Sequence, residues 1–132
     1  DAGKGVAEDD AQAVEWYRKA AAQGHVEAQF NLGVMYANGQ GVAEDDAQAV
    51  EWYRKAAEQG RAKAQYNLGV MYRRGEGVAQ DYAQAHMWYN LAAAQGVENG
   101  AKWRDKVADK MTPDQVAEAQ RLAREWMKKH SK

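Results

Sequence analysis

In the stretch from Ala28 to Tyr36, Ala28, Leu32 and Tyr36 fall at i, i+4 and i+8, the spacing of one helix face. Gly33 stands beside Leu32, and Gly39 and Gly41 follow, predicting a helix that ends in a glycine loop. A different pattern precedes it: Ala13, Tyr17, Ala20 and Ala21 share one face, with Trp16 beside them and Gly24 at the expected C-terminal cap. The acidic trio Glu8-Asp9-Asp10 is placed to cap that helix and to complement its dipole.

The two patterns alternate along the chain. Helices are predicted at Asp46–Gln59, Ala62–Arg74 and Tyr82–Gln95, and a less regular one at about Asn99–Lys110, where Trp103, Val107 and Met111 keep the four-residue spacing. Thr112 then suits an N-cap, Pro113 the first helical position and Gln115 the closure of a capping box. The last helix carries Val116, Ala119, Ala123 and Trp126 on its inner side and ends in Lys128-Lys129. Seven helices are expected, the last one capping the array.

The alternation is a repeat. Gly41–Gly60, GVAEDDAQAVEWYRKAAEQG, differs from Gly5–Gly24 only at Ala22 and Glu58, and Gly77–Gly96 matches the first copy at 14 of 20 positions, each offset being 36 residues. A fixed period of this size marks a row of small units, each burying its apolar face on the next. The expected organisation is a half repeat at 1–24, repeats at 25–60 and 61–96, and a degenerate repeat helix plus capping helix at 97–132. Asp1–Gly5 stands where ANGQG and RRGEG stand later, as a helix tail and loop, so the chain opens within a repeat and further residues are expected upstream. Gly33 recurs as Gly69; a glycine inside a helix costs about 1 kcal/mol against alanine, so close approach of a neighbouring helix is expected there.

Composition agrees with an all-α protein: alanine is abundant, isoleucine absent and proline single. With 18 basic and 19 acidic residues the net charge is −1, which supplies no global field for nucleic acid or an anionic membrane. No apolar run approaches the roughly 20 residues that span a bilayer. The absence of cysteine excludes disulfides and thiolate metal sites.

No catalytic constellation emerges, and no cofactor or metal is expected. His25, His86 and His130 are far apart and lack helical zinc spacing. His86 replaces Val14 and Val50 of the other copies, which predicts a half-buried, hydrogen-bonded histidine. Glu44-Asp45-Asp46 lacks calcium-loop spacing and reads as helix capping. The lone serine, Ser131, lies in the tail, so a serine or cysteine nucleophile is excluded. The pairs Trp16-Tyr17, Trp52-Tyr53 and Trp88-Tyr89 read as core, because each buried ring removes about 150–250 Å² from water.

These residues resemble the Sel1-like repeat family, relatives of the tetratricopeptide repeat. The matching words are A-x-x-x-L-G-x-x-Y-x-x-G-x-G-V (Ala28, Leu32, Gly33, Tyr36, Gly39, Gly41, Val42) and D-x-A-x-A-x-x-W-Y-x-x-A-A-x-Q-G (Asp45 to Gly60). The resemblance covers Gly5 to about Gly96. It implies a right-handed superhelix of antiparallel helix pairs, the first helix of each lining the concave side, and a non-catalytic adaptor or scaffold role. A bacterial periplasmic, envelope or secreted setting is implied over a cytoplasmic one.

By tetratricopeptide analogy, Glu27, Phe30, Val34, Ala37 and Asn38 project from one such helix and Lys63, Tyr66, Val70, Arg73 and Arg74 from the next, with Asn31 and Asn67 at the edge, able to grip peptide backbone. Formal charge is −1 over His25–Gln40 and +3 over Arg61–Glu76, so the second stretch favours an acidic segment or a C-terminal carboxylate. The expected ligand is a peptide or protein segment, anchored by Tyr66, Arg73 and Arg74 with apolar contact from Phe30. The alternatives are an envelope enzyme acting on cell-wall material and a structural module that self-associates through the open face of the first helix, at Ala13 and Tyr17.

Overall fold

The computed structural model describes residues 2–131, with side chains from residue 9 onward. Among them are seven helices and no strand: α1 (Ala2–Ala22), α2 (Val26–Asn38), α3 (Asp46–Glu58), α4 (Ala62–Arg74), α5 (Tyr82–Ala94), α6 (Glu98–Ala108) and α7 (Pro113–His130). They form two compact units, Asp1–Arg61 and Ala62–Lys132.

In the first unit α2 packs against both α1 and α3. Leu32 and Tyr36 of α2 are buried, as are Ala49, Val50, Tyr53, Ala56 and Ala57 of α3. Helix α1 contributes Val14 and Ala21, while Ala13, Tyr17 and Ala20 stay half-buried. Ala21 thus keeps its expected place, whereas Ala13, Tyr17 and Ala20 are less covered than their counterparts Ala49, Tyr53 and Ala56 in α3. The Arg18 guanidinium donates to the Tyr36 hydroxyl at 2.8 Å. Gly33 meets the Tyr53 ring so closely that a Cβ there would stand 2.7 Å from Cδ1. That contact is why a helix former is missing from the middle of α2.

The start of α1 also departs from expectation. It is helical through Gly3 and Gly5 and past Asp9, whereas their counterparts Gly39 and Gly41 adopt left-handed backbone, with φ of 67° and 72°. Asp1 itself lies outside the described residues. The later loop is held by the preceding helix: Gln40 N–H donates to Met35 O and Asp45 N–H to Tyr36 O, both at 2.9 Å. Asp45 and Asp81 do cap α3 and α5, accepting from the amides of Gln48 and Gln84; Asp9 does not, because it is inside a helix.

In the second unit α5 is central, packed on α4, α6 and α7. It is buried nearly all round, through Ala85, His86, Met87, Trp88, Tyr89, Leu91 and Ala92. The Thr112–Gln115 capping box is closed in both directions, and Ala119 and Ala123 of α7 are fully buried. Each unit also contains a glutamine pair: Gln59 Nε2 donates to Gln29 Oε1 at 2.7 Å, and Gln95 Nε2 to Gln65 Oε1 at 2.9 Å. Gln65 has no solvent exposure, so this bond meets the requirement that a buried amide be satisfied.

The repeated tryptophans do not share one fate. Trp88 is 3% exposed, Trp52 is half-buried and Trp16 is 75% exposed. The expected uniform core role therefore fails at Trp16. The reason is non-local: Trp88 is covered by α7, where Trp126 meets it edge-on with centroids 6.2 Å apart.

His86 is more deeply buried than expected, at 3% exposure, and its Nδ1 has no hydrogen-bond partner among the described residues. Burial holds its pKa below the ordinary 6.5, with Arg104 adding to the effect and Asp105 opposing it. The folded chain thus favours neutral imidazole, and below about pH 6.5 the unfolded chain binds more protons. The stabilising contribution is complete above that value and is lost as pH falls toward the lowered pKa. Replacing His86 with Val, the residue of the other two copies, should flatten the fall of the urea midpoint between about pH 7 and about pH 5. An equal slope in parent and variant would show that His86 is not the group responsible.

Candidate functional site

Helices α2 and α4 each divide cleanly. In α4, Ala64, Gln65, Leu68, Gly69, Met71 and Tyr72 are buried, whereas Lys63 and Arg74 are exposed and Tyr66, Asn67, Val70 and Arg73 remain half-exposed. In α2, Ala28, Gln29, Leu32, Gly33 and Tyr36 are buried, whereas Glu27 and Asn38 are exposed and Phe30, Asn31 and Val34 are half-exposed. Every residue assigned to the binding face by its place in the repeat keeps some access to solvent.

In the first unit that face is neutralised internally. Arg61 pairs with Glu27 and places its guanidinium carbon 4.7 Å from the Phe30 ring centroid. Phe30 in turn lies 5.9 Å from the Tyr53 ring. The cation, the anion and the aromatic ring thus occupy one another.

The second unit differs. Arg73 Nε donates to the Tyr89 hydroxyl at 2.9 Å, and its guanidinium carbon lies 4.0 Å from the centroid of Trp103. Burial raises the Tyr89 hydroxyl above its ordinary pKa, and the bond from Arg73 pulls the other way, so Tyr89 stays a neutral phenol that accepts this bond. Tyr66 packs on Tyr89 with centroids 5.5 Å apart. Lys106 Nζ sits 4.7 Å from the same Trp103 ring. Between these groups is a cavity of about 260 Å³, lined by Arg73, Gln80, Tyr82, Trp103, Lys106 and Lys110 with Val107 at its floor.

Of the three proposed anchors, Arg73 lines this cavity. Tyr66 supports it through Tyr89, and Arg74 stands apart in an exposed ion pair with Glu76 at 3.5 Å. Trp103, Lys106 and Lys110 were missed because the repeat decays after Gly96. The period itself would have found them: 36 residues back they fall on Asn67, Val70 and Arg74, three positions already assigned to the face.

Among the described residues no group of three histidine, aspartate or glutamate side chains is arranged to hold a metal ion, and no helix is long and apolar enough to cross a membrane. The structure defines an all-α protein built of repeated helix pairs. Sel1 repeat sequences match residues 1–25, 26–60 and 62–97, and the chain belongs to the Sel1 repeat family. It is similar to c5321, a protective antigen of uropathogenic Escherichia coli strains that displays an SLR fold. The two share 43% identity with a TM-score of 0.87, over 91% of this chain and 26% of c5321. It is also similar to a Sel1 repeat protein from Oxalobacter formigenes, at 44% identity and a TM-score of 0.67, over 68% of this chain and 37% of that one. The chain therefore spans about a quarter of the first neighbour and just over a third of the second. No curated protein sequence matches it. The fold is a helical solenoid, and Sel1 repeat proteins are generally non-catalytic modules for protein–protein interaction.

Proposed function

We propose that this chain is a non-catalytic binding module that holds a peptide or protein segment on the exposed face of α4, with α2 offering the equivalent face within its own unit. The observation that carries this reading is the division of those two helices. Framework residues are buried, while the residues that change between copies, such as Glu27 to Lys63 and Phe30 to Tyr66, remain open to solvent. A face that varies while its scaffold is constant suits recognition better than structure. Asn31 and Asn67, half-exposed at equivalent positions, supply amide donors and acceptors for an extended backbone.

Immobilised protein exposed to lysate of its source organism tests this. The control variant carries Lys63→Glu, Tyr66→Ala and Arg74→Glu, leaving Arg73 in place because it holds Tyr89. A partner kept by the parent and lost by the variant, with helicity unchanged by circular dichroism, is the expected result. Equal retention by both would remove the α4 face from the function. A second reading, self-association through α1, is favoured by the 75% exposure of Trp16. It predicts a mass in light scattering that rises with concentration and falls in Trp16→Ala.

A further inference from the structure

We infer that the cavity between α4, α6 and the start of α5 is a carboxylate site, one that seats an acidic side chain or a chain terminus of the bound segment. The inference deepens the peptide-binding reading and rests on it for the source of the carboxylate.

Three cations line the cavity and no carboxylate does. Their neighbours show what paired cations look like in the same unit: Arg74 has Glu76, and Arg104 has Asp105 and Asn90. Lys106 and Lys110 have no carboxylate partner among the described residues. Lys106, in the last turn of α6, and Lys110, in the turn that follows that helix, are four residues apart on one cavity wall, where two like charges repel each other. An anion between them would remove that repulsion.

The repeat offers an internal comparison. The positions of Arg73, Gln80 and Tyr82 are held by Ala37, Glu44 and Asp46 one period earlier, and the acids recur as Glu8 and Asp10. Across those three positions the formal charge goes from −2, from Glu44 and Asp46, to +1, from Arg73. Asp81, which caps α5, is retained alongside them. The acid needed for the fold stays, and the two that would face an incoming carboxylate are gone.

The basic groups are also held in place before any ligand arrives. Arg73 is fixed by Tyr89 through Nε, which leaves its two terminal nitrogens uncommitted to that bond, and its guanidinium carbon sits over the Trp103 ring. Gln80 Nε2 donates to the Arg73 carbonyl at 2.8 Å, tying the α4–α5 loop to the cavity wall. A guanidinium pre-set in this way loses less freedom when it binds a carboxylate. The aromatic wall of Trp103 and Tyr82 suits the aliphatic part of the residue that carries the charge.

The test uses small probes, so it needs no partner. Acetyl-glutamate amide supplies a side-chain carboxylate and acetyl-leucine an α-carboxylate. Acetyl-glutamine amide is the neutral control and inorganic phosphate the competing anion. Each is titrated at constant ionic strength while the indole N–H of Trp103 and the Nε–H of Arg73 are followed by proton–nitrogen NMR. Saturable shifts with either carboxylate and none with the neutral amide are expected; the tighter of the two identifies the source. Lys106→Gln with Lys110→Gln leaves the Arg73–Tyr89 bond intact and should weaken binding by about tenfold or more. No shift with either carboxylate, tighter binding of phosphate, or an unchanged affinity in the double variant would each overturn the assignment. The lysate capture uses other residues, so either reading can fail without the other.

Discussion

Trp88→Ala should lower the free energy of unfolding by about 3–5 kcal/mol, while Trp16→Ala, at the equivalent position two repeats earlier, should change it by no more than about 0.5 kcal/mol. The substitutions are identical in chemistry and in repeat register. They differ in what lies over the ring. Trp88 is 3% exposed and meets Trp126 of α7, so its loss would leave a void beside that ring. Trp16 is 75% exposed, so its removal opens no cavity. Trp52, half-buried with Lys55 Nζ 5.2 Å from its ring, should fall between them. Urea denaturation of the three alanine variants, followed by far-ultraviolet circular dichroism, checks the order. Equal costs at Trp16 and Trp88 would mean that α7 does not shield the second ring.

Tyr89→Ala should cost a similar amount, about 3–5 kcal/mol, since this ring has no solvent exposure and supports Tyr66, Arg73 and the backbone at Gly69. The informative experiment pairs it with Gly69→Ala. Alone, that change adds a better helix former, yet its Cβ would stand 2.8 Å from Tyr89 Cδ1. The ring is walled in and cannot swing aside, so overpacking should dominate at a net cost of about 1–3 kcal/mol. With Tyr89 already truncated, the same alanine has room, and Gly69→Ala should become neutral or stabilising. A double-mutant cycle that shows no coupling would rule out the contact as the reason for the glycine. Gly33 and Tyr53 form the matching pair in the first unit and should behave alike.

The candidate site was only partly legible from the residues. The period and the alternation of buried and open positions on α4 pointed to Arg73 and Tyr66. They did not show that Arg74 turns away to Glu76, because a side chain's choice between two neighbours depends on where the loop carries Glu76. Nor did they show Trp103, Lys106 and Lys110 closing a cavity with Arg73. Those residues depart from the repeat consensus, and departure alone does not distinguish a specialised position from a decayed one.

What this sequence determined by itself is everything that depends on neighbours a turn away along the chain. The positions of α2 to α7 and the caps at Asp45 and Thr112 follow from spacing, and spacing is local. The tertiary structure alone decided which of the three repeated tryptophans is core, that His86 is buried with no partner for Nδ1 among the described residues, and that three cations line one cavity. Each of these turns on a distant segment being present or absent over a surface. Near-identical words take different roles because burial, unlike helix formation, is a property of the surroundings.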